Sequence, residues 1–310
     1  MTITAFPTGV SSFGVPVIGA GGGIPSTTGT YIFVSSTAGS DSNTGLDKNH
    51  PVATLAQGVT LSTASVGDII ILMPGHAETV STTVTPKAGT SIVGLGYGRN
   101  RPVFTASTGA IDTFTISANN VMLQNFVIVG AASGVTALIE ISGTYPRFIG
   151  MEIQGAAAPT TLVTVSAGGD GALWQNCRFR SAAGTAIIIS GEATATAPDW
   201  LMIENYVHGS SVRDIDTSVI SSSKKNFTGL LVDGLYAVGI VGGDNPVGAF
   251  DFNSSTSAAG DGLLCNVHVG FDAAITIGEA SDLGGMHTSR FFVNDVAGAT
   301  SARFPVTTAS

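Results

Sequence analysis

A histidine and a glutamate stand two residues apart directly after an apolar run, in the segment GDIIILMPGHAE (Gly67 to Glu78). A His beside a carboxylate could serve as a general base or hold a metal ion. A zinc deaminase would also need Pro-Cys-x-x-Cys downstream, and a zincin would need a second His four residues on; the sequence has neither. Because Pro74-Gly75 signals a turn, we interpret His76 and Glu78 as residues that leave this turn and not as a catalytic pair.

Three oxygen-bearing side chains, Asp41, Asn43 and Asp47, lie close together in a Gly- and Ser-rich segment. Oxygen ligands of this kind suit Ca²⁺, but the twelve-residue EF-hand spacing is absent. Since Asp, Asn and Gly clusters are ordinary turn formers, we keep the three only as weak metal candidates. The two cysteines, Cys177 and Cys265, form no CxxC motif, which predicts free thiols in a protein made in a reducing cytosol.

Composition excludes several classes of function. Charged residues make up only 11% of the 310 residues, and the net charge is −9, with Lys224-Lys225 as the single adjacent basic pair. Nucleic-acid binding needs a cluster of Lys and Arg, so none is expected. The apolar runs are too short to span a bilayer, and no charged n-region precedes an apolar h-region as in a signal peptide. The length suffices for one large β domain.

The first thirty residues combine Gly, Pro, Ser and Thr with scattered apolar residues. A flexible linker would be polar, so we interpret residues 1–30 as an extended arm that lies on its own body, a sister subunit or another protein. The residues expected at this interface are Phe6, Phe13, Val15, Val17 and Ile18.

The next elements are a strand and a short helix. Tyr31 to Ser35 is strand-like, and the segment after Pro51 spaces Leu55, Val59 and Leu61 for a short helix with one buried face. Ile69 to Met73 is apolar at every position, which predicts a strand buried on both faces.

A repeat from residue 111 to about 272 is the strongest signal in the chain. Each unit has an apolar pair, then Asn or Gly, then alternating residues; we call the Asn and Gly positions corner residues. The corner residues are Asn125, Gly150, Asn176, Asn205, Gly234 and Asn266, with spacings of 25, 26, 29, 29 and 32. Repeats of short strands at this length predict a solenoid, and Asn and Gly are the residues that adopt the left-handed conformation most easily.

The alternation after each corner residue assigns side chains to the inside and the outside. The inward positions include Phe126, Ile128, Met151, Ile153, Cys177, Phe179 and His208, and the outward ones include Val127, Glu152 and Arg178. Glu152 and Arg178 then stand on neighbouring rungs, where they can pair or bind a substrate.

A glycosidase would need two carboxylates roughly 5 to 9 Å apart, and the coils do not supply them. Glu140 falls on a different strand of the coil, and we place Glu204 two coils from Glu152 with Arg178 between them. Asp214 and Asp216 fall in a connection between strands, so no acidic cluster emerges.

The chain resembles right-handed parallel β-helix proteins of the pectate-lyase-like group over about residues 31 to 272. Two segments carry the resemblance: YIFVSSTAGSDSNTGLDKNHPVATLAQGV (31–59), which is similar to the group's entry segment, and GDIIILMPGHAE. The resemblance implies an all-β fold, a single right-handed parallel β-helix with a short N-terminal capping helix. We expect an arm at 1–30, the solenoid at 31–285 with its cap at 31–66, and a tail at 286–310.

The turn Pro-Gly-His-Ala-Glu is most similar to β-helix virion proteins of tailed phages. This resemblance implies a non-enzymatic protein on the capsid surface, made in the host cytoplasm, with the major capsid protein and its own copies (a homotrimer) as partners. We expect no catalytic residue, no cofactor, and neither a nucleic-acid nor a membrane partner. The alternative is a tailspike-like receptor-binding protein or polysaccharide depolymerase, with a carbohydrate partner.

Overall fold

The computed structural model describes residues 10–12, 15–17, 27–107, 111–131, 137–155, 161–166 and 168–180, and beyond these a series of strands between residues 185 and 303. The described part is all-β, with one α-helix, α1 (Leu55–Leu61), and one 3₁₀ turn, Gly98–Asn100. None of the described helices is long and apolar enough to cross a membrane.

Most strands lie in three columns, within which successive strands pair in parallel. The first column contains β3 (Tyr31–Val34), β4 (Ile69–Leu72), β6 (Ser91–Gly94), β9 (Met122–Gln124), β12 (Arg147–Ile149), β15 (Ala172–Gln175), β18 (Leu201–Glu204) and β21 (Leu230–Asp233). The second contains β5 (Ala77–Val80), β7 (Val103–Ala106), β10 (Val127–Gly130), β13 (Glu152–Gly155), β16 (Arg178–Arg180), β19 (Val207–His208) and β22 (Tyr236–Ile240). The third contains β8 (Phe114–Ile116), β11 (Ile139–Ile141), β14 (Thr161–Val165), β17 (Thr185–Gly191), β20 (Ile215–Ser221) and β23 (Phe250–Asp251).

The last strands continue the stack past the expected end of the solenoid. β24 (Gly262–Phe271) and β25 (His287–Asn294) pair in parallel, and each runs through the first and second columns. β26 (Ala302–Arg303) then pairs antiparallel with β25. The segment expected as a tail from residue 286 therefore contains a further parallel rung and an antiparallel end strand.

The interior is filled by the residues that the sequence assigns to inward positions. Phe126, Ile128, Met151, Ile153, Cys177 and Phe179 are each at most 1% exposed. Trp174 is also fully buried, and its ring stacks on Phe148 with centroids 3.8 Å apart. His208 pairs in register with Phe179, as expected for an inward position. The inward assignments are confirmed where the structure describes the side chains, whereas Val127, assigned outward, is only 9% exposed.

The corner residues adopt the left-handed conformation that the sequence suggests. The φ angles are 57° at Asn125, 60° at Gly150, 54° at Asn176 and 52° at Asn266. Asn205 and Gly234 lie outside the described residues. The following rung places Arg290, with φ 54°, in register with Asn266.

A second left-handed corner precedes the first column, and the repeat analysis missed it. It is formed by Gly67 (φ 83°), Gly89 (67°), Asn120 (57°), Tyr145 (57°) and Gly171 (68°), each two residues before the paired part of its strand. The sequence signal is weak here because the residue type changes from coil to coil.

The predicted cap and the predicted doubly buried strand are both present. Thr54 caps α1 by accepting a hydrogen bond from the amide of Gln57, and Leu55 and Val59 are buried. Leu61, expected on the same buried face, is 38% exposed because it is the last residue of the helix. All four residues of β4 are buried. Ile69 and Ile71 pack with Phe33 and Val93 in a cluster separate from the main core, which explains the continuous apolar run.

The described part of the arm forms a hairpin. β1 (Val10–Ser12) and β2 (Val15–Val17) pair antiparallel, with Val10 opposite Val17. Their two-stranded sheet includes no other strand of the described chain. Phe6, Phe13 and Ile18 lie outside the described residues.

Candidate functional site

His76 and Glu78 are built into the scaffold. His76 is 1% exposed, and its Nδ1 accepts a hydrogen bond from the amide of Ser36 at 3.0 Å. The neutral ring therefore carries its hydrogen on Nε2, which lies 3.2 Å from Glu78 Oε2. Glu78 Oε2 also accepts the amide of Leu55 at 2.8 Å, at the start of α1. The pair joins the entry loop, the second column and the capping helix.

The three weak metal candidates make hydrogen bonds within the turn and at the cap of α1. Asp41 accepts the amides of Ala53 and Thr54 at 2.8 and 3.0 Å, next to the start of α1. Asn43 donates to the carbonyl of Pro51 at 2.8 Å. Asp47 accepts the amide of Asn49, which is the main reason that its pKa is lowered. Within the described ranges, no group of three or more His, Cys, Asp or Glu side chains could hold a metal ion.

Both cysteines are free thiols. Burial raises the pKa of Cys177 to about 12, and its Sγ lies 3.3 Å from the carbonyl of Phe148. Burial, and to a lesser degree the charge of Asp233, also raises the pKa of Cys265. Since the thiolate is the reactive form, neither cysteine is suited to nucleophilic chemistry at neutral pH.

A groove of about 600 Å³ lies on the second column, between the turn at residues 97–101 and strands β7, β10, β13 and β16. Its lining residues are Tyr97, Gly98, Arg101, Val103, Val127, Val129, Gly150, Met151, Glu152, Gln154, Asn176 and Arg178. Its volume lies within the range of roughly 300–1,000 Å³ typical of small-molecule sites. The groove therefore is the candidate binding site.

Glu152 is the centre of a polar network in this groove. Its carboxylate lies 3.3 Å from Arg101 Nη1 and 3.7 Å from Arg180 Nη1, and it accepts a hydrogen bond from Gln154 Nε2 at 2.7 Å. Arg101 Nη2 also donates to the carbonyls of Gly150 at 2.6 Å and Phe126 at 3.3 Å. The pKa of Arg101 is lowered, mainly by burial. The charge of Glu152 raises this pKa, and the charge of Arg178 lowers it.

The expected pairing of Glu152 with Arg178 is wrong, although their register is right. The two residues stand on neighbouring rungs of β13 and β16. Glu152 instead pairs with Arg101, from the turn at the edge of the groove, and with Arg180. These two guanidinium groups occupy both carboxylate oxygens, and Arg178 remains exposed.

Two other acidic positions also differ from expectation. Glu204 lies in the first column, in register with Gln175 and Asp233, and so it is not on the column of Glu152. The error arose because Glu204 precedes its corner residue whereas Glu152 follows one. Asp216 lies within strand β20 and not in a connection; Asp214 is outside the described residues. Glu140 lies on the third column, as expected.

The fold can be compared with solved structures. A pectin methylesterase in complex with a hexasaccharide aligns over 88% of this chain and 91% of its own, with 15% identity and a TM-score of 0.52. The fold is a parallel β-helix. A rhamnogalacturonan lyase aligns over 84% of this chain and 87% of its own, with 14% identity and a TM-score of 0.41. No protein-family model matches the sequence of this chain, and no curated protein matches it significantly.

Sequence reasoning missed two residues that line the groove, Tyr97 and Arg101, and the contact of Arg180 with Glu152. A signal was present in the segment YGRNRP (97–102), which holds two of the twelve basic residues beside an aromatic residue. The segment lies before the repeat at residue 111, so the outward alternation was not extended to it.

Proposed function

We propose that the protein is a non-enzymatic structural protein of a tailed-phage virion. In this proposal it decorates or cements the capsid surface as a homotrimer and is attached by its N-terminal arm, residues 1–30. Its partners are the major capsid protein and its own copies, and it is made in the host cytoplasm before assembly. The sequence resemblance to virion β-helix proteins supports this role.

The hairpin of the arm is the observation that carries the proposal. β1 and β2 have three residues each, and in the part of the chain that the structure describes they pair only with each other. An isolated two-stranded hairpin is at best marginally stable in water. Val10, Val15 and Val17 make this one apolar in character, so a surface of a partner would stabilise it.

The hydrogen bonds of His76, Glu78 and Asp41 support a role without catalysis. Both nitrogens of His76 are occupied, and Glu78 holds the first amide of α1. Asp41 accepts two amides at the same end of the helix. These groups stabilise the cap of a stacked fold, and stacked rungs give a rigid body that suits a shell component.

The test is to add purified protein to particles that lack it. We expect the full chain to bind, and a variant without residues 1–25 to remain folded but lose binding by at least about tenfold, since about 1.4 kcal/mol corresponds to that factor. A variant without residues 304–310 is the matched control and should bind like the full chain. Retained binding of the arm-deleted variant would contradict the proposed attachment.

A second candidate, a tailspike-like receptor-binding protein or depolymerase, is favoured by one observation, the polar groove on the second column. A depolymerase would lower the viscosity of a capsular polysaccharide, whereas a decoration protein would leave it unchanged.

A further inference from the structure

Arg178 and Tyr97 are exposed at the groove, and their backbones, not their side chains, take part in the scaffold. Arg178 follows the corner residue Asn176 on β16; its amide donates to the carbonyl of Met151 at 2.8 Å, but its exposed guanidinium has no hydrogen bond or ion pair with any described residue. Tyr97 is 92% exposed and precedes the 3₁₀ turn at the edge of the groove. An exposed guanidinium and an exposed aromatic side chain therefore line the same groove.

The groove has an excess of positive charge although the chain is acidic. Three arginines, Arg101, Arg178 and Arg180, surround the single carboxylate of Glu152. Arg101 and Arg180 contact that carboxylate, so the charge of Arg178 is not offset there. The net charge of the whole chain is −9, and the local field therefore favours one anionic group at this point while the distant field opposes a long polyanion.

The rest of the lining can contact the body of a polar ligand. Val103 and Val127 stand in register on two successive rungs of the floor, Val129 follows on the strand of Val127, and Val127 is 9% exposed. Gln154 and Asn176 add amide groups on the same face. A guanidinium recognises a carboxylate by charge-assisted hydrogen bonds, an amide can bond hydroxyls, and an aromatic ring offers an apolar face.

We propose that this groove binds a saccharide that carries a single carboxylate, with Arg178 pairing with the carboxylate. Tyr97 packs on a sugar ring, and Gln154 and Asn176 bind hydroxyls. The sheet is fixed by its rungs, so the contacts are preorganised and binding orders few side chains. The groove adds a recognition surface to the β-helix, and it does so whether or not the protein is located on a capsid.

A saccharide explains the lining better than an acidic peptide or a nucleic acid. A peptide carboxylate would use Arg178 but would leave Tyr97 and the two amides without a specific role. A nucleic-acid strand would need a basic track along its backbone, and the chain has an overall negative charge.

The test measures the binding of cellobiouronic acid and of cellobiose to the purified full-length protein by titration calorimetry. The two sugars differ in one position, where the acid has a carboxylate and cellobiose a hydroxymethyl group. We expect the acid to bind at least about tenfold more tightly, which corresponds to about 1.4 kcal/mol. Higher salt should reduce this preference, because the pair is exposed to solvent.

Two charge-removing variants make the test specific. Arg178→Gln should reduce the affinity for the acid to that for cellobiose. Arg147→Gln is the matched control, because Arg147 is also an exposed arginine on a strand but lies in the first column; it should bind like the original chain. Tyr97→Ala should lower the affinity for both sugars. Circular dichroism checks that each variant is folded.

Several outcomes would overturn the proposal. Equal affinity for the two sugars, no binding of either, or equal losses in the Arg178 and Arg147 variants would each do so. Binding of tri-glutamate as tight as that of the acid would show that the groove takes a protein carboxylate instead. None of these results depends on particle attachment, so a failure here is distinct from a failure of the proposed function.

Discussion

At the scale of single residues, the structure explains how His76 and Glu78 can resemble a catalytic pair without acting as one. The same spacing that suits a general base also lets one ring nitrogen accept the amide of Ser36 while the other faces Glu78. Burial leaves the ring no access to a substrate. The residue types alone do not separate these two uses, because the partner amides come from distant segments of the chain.

Replacing His76 by Ala should destabilise the cap. The variant loses two buried hydrogen bonds and the packing of the imidazole on Phe104, whose ring centroid lies 5.3 Å away. We expect the free energy of unfolding to fall by about 2–4 kcal/mol, measured by urea unfolding. His50→Ala, at a side chain that is 70% exposed, is the control and should change it by less than about 0.5 kcal/mol. Equal losses of stability in the His76 and His50 variants would contradict the role of His76 in holding the cap.

Cys177 gives a pH dependence with a defined sign. Its thiol has a pKa of about 12 in the folded protein and the ordinary value of 9.0 when unfolded. The unfolded chain therefore loses this proton first, and stability falls as pH rises through the interval between those values. Relative to Cys177→Ser, the free energy of unfolding of the original chain should fall by up to about 1.4 kcal/mol per pH unit above pH 9. Urea unfolding between pH 8 and 11 measures this difference. Parallel curves for the two proteins would contradict a buried, protonated thiol.

At the scale of elements, the left-handed corners determine how the strands of each coil meet. Asn125 combines both advantages of its residue type, because it adopts φ 57° and its Nδ2 donates to the carbonyls of Gly94 and Gly96. Gly150 contributes conformation alone, since a Cβ there would meet no atom within 4 Å.

Substitutions at Gly150 separate conformation from packing. Gly150→Ala should lower the free energy of unfolding by about 1–2 kcal/mol, because an L-residue with a Cβ is strained at φ 60°. Gly150→Asn should cost less, because Asn visits this region more readily. The melting temperatures of the two variants test the order. A smaller loss for Ala than for Asn would show that the corner does not require the left-handed conformation.

Much of the element pattern was predictable from the sequence, and the exceptions have physical causes. The corners at Asn125, Gly150 and Asn176 and the doubly buried β4 were predicted because residue type and periodicity report them directly. The second corner was not, because Tyr145 occupies it in one coil. The ion pair of Arg101 with Glu152 was not predictable, since it joins residues 51 positions apart through a turn outside the repeat.

At the scale of the whole molecule, the described chain combines a stack of parallel rungs with a separate two-stranded hairpin. The stacked columns share one continuous apolar interior over the described coils, so the body requires no partner to form its core. The hairpin of the arm pairs with no other described strand, which is why attachment is assigned to it. The groove lies on the second column.

The central claim is that the protein is a structural component of a capsid surface. Cryo-electron microscopy of purified virions of the proposed parent phage tests this placement. We expect many copies of the β-helix arranged over the shell in groups of three, each with its N-terminal arm in contact with the capsid. Density confined to the tail, or absence of the protein from the particle, would contradict it.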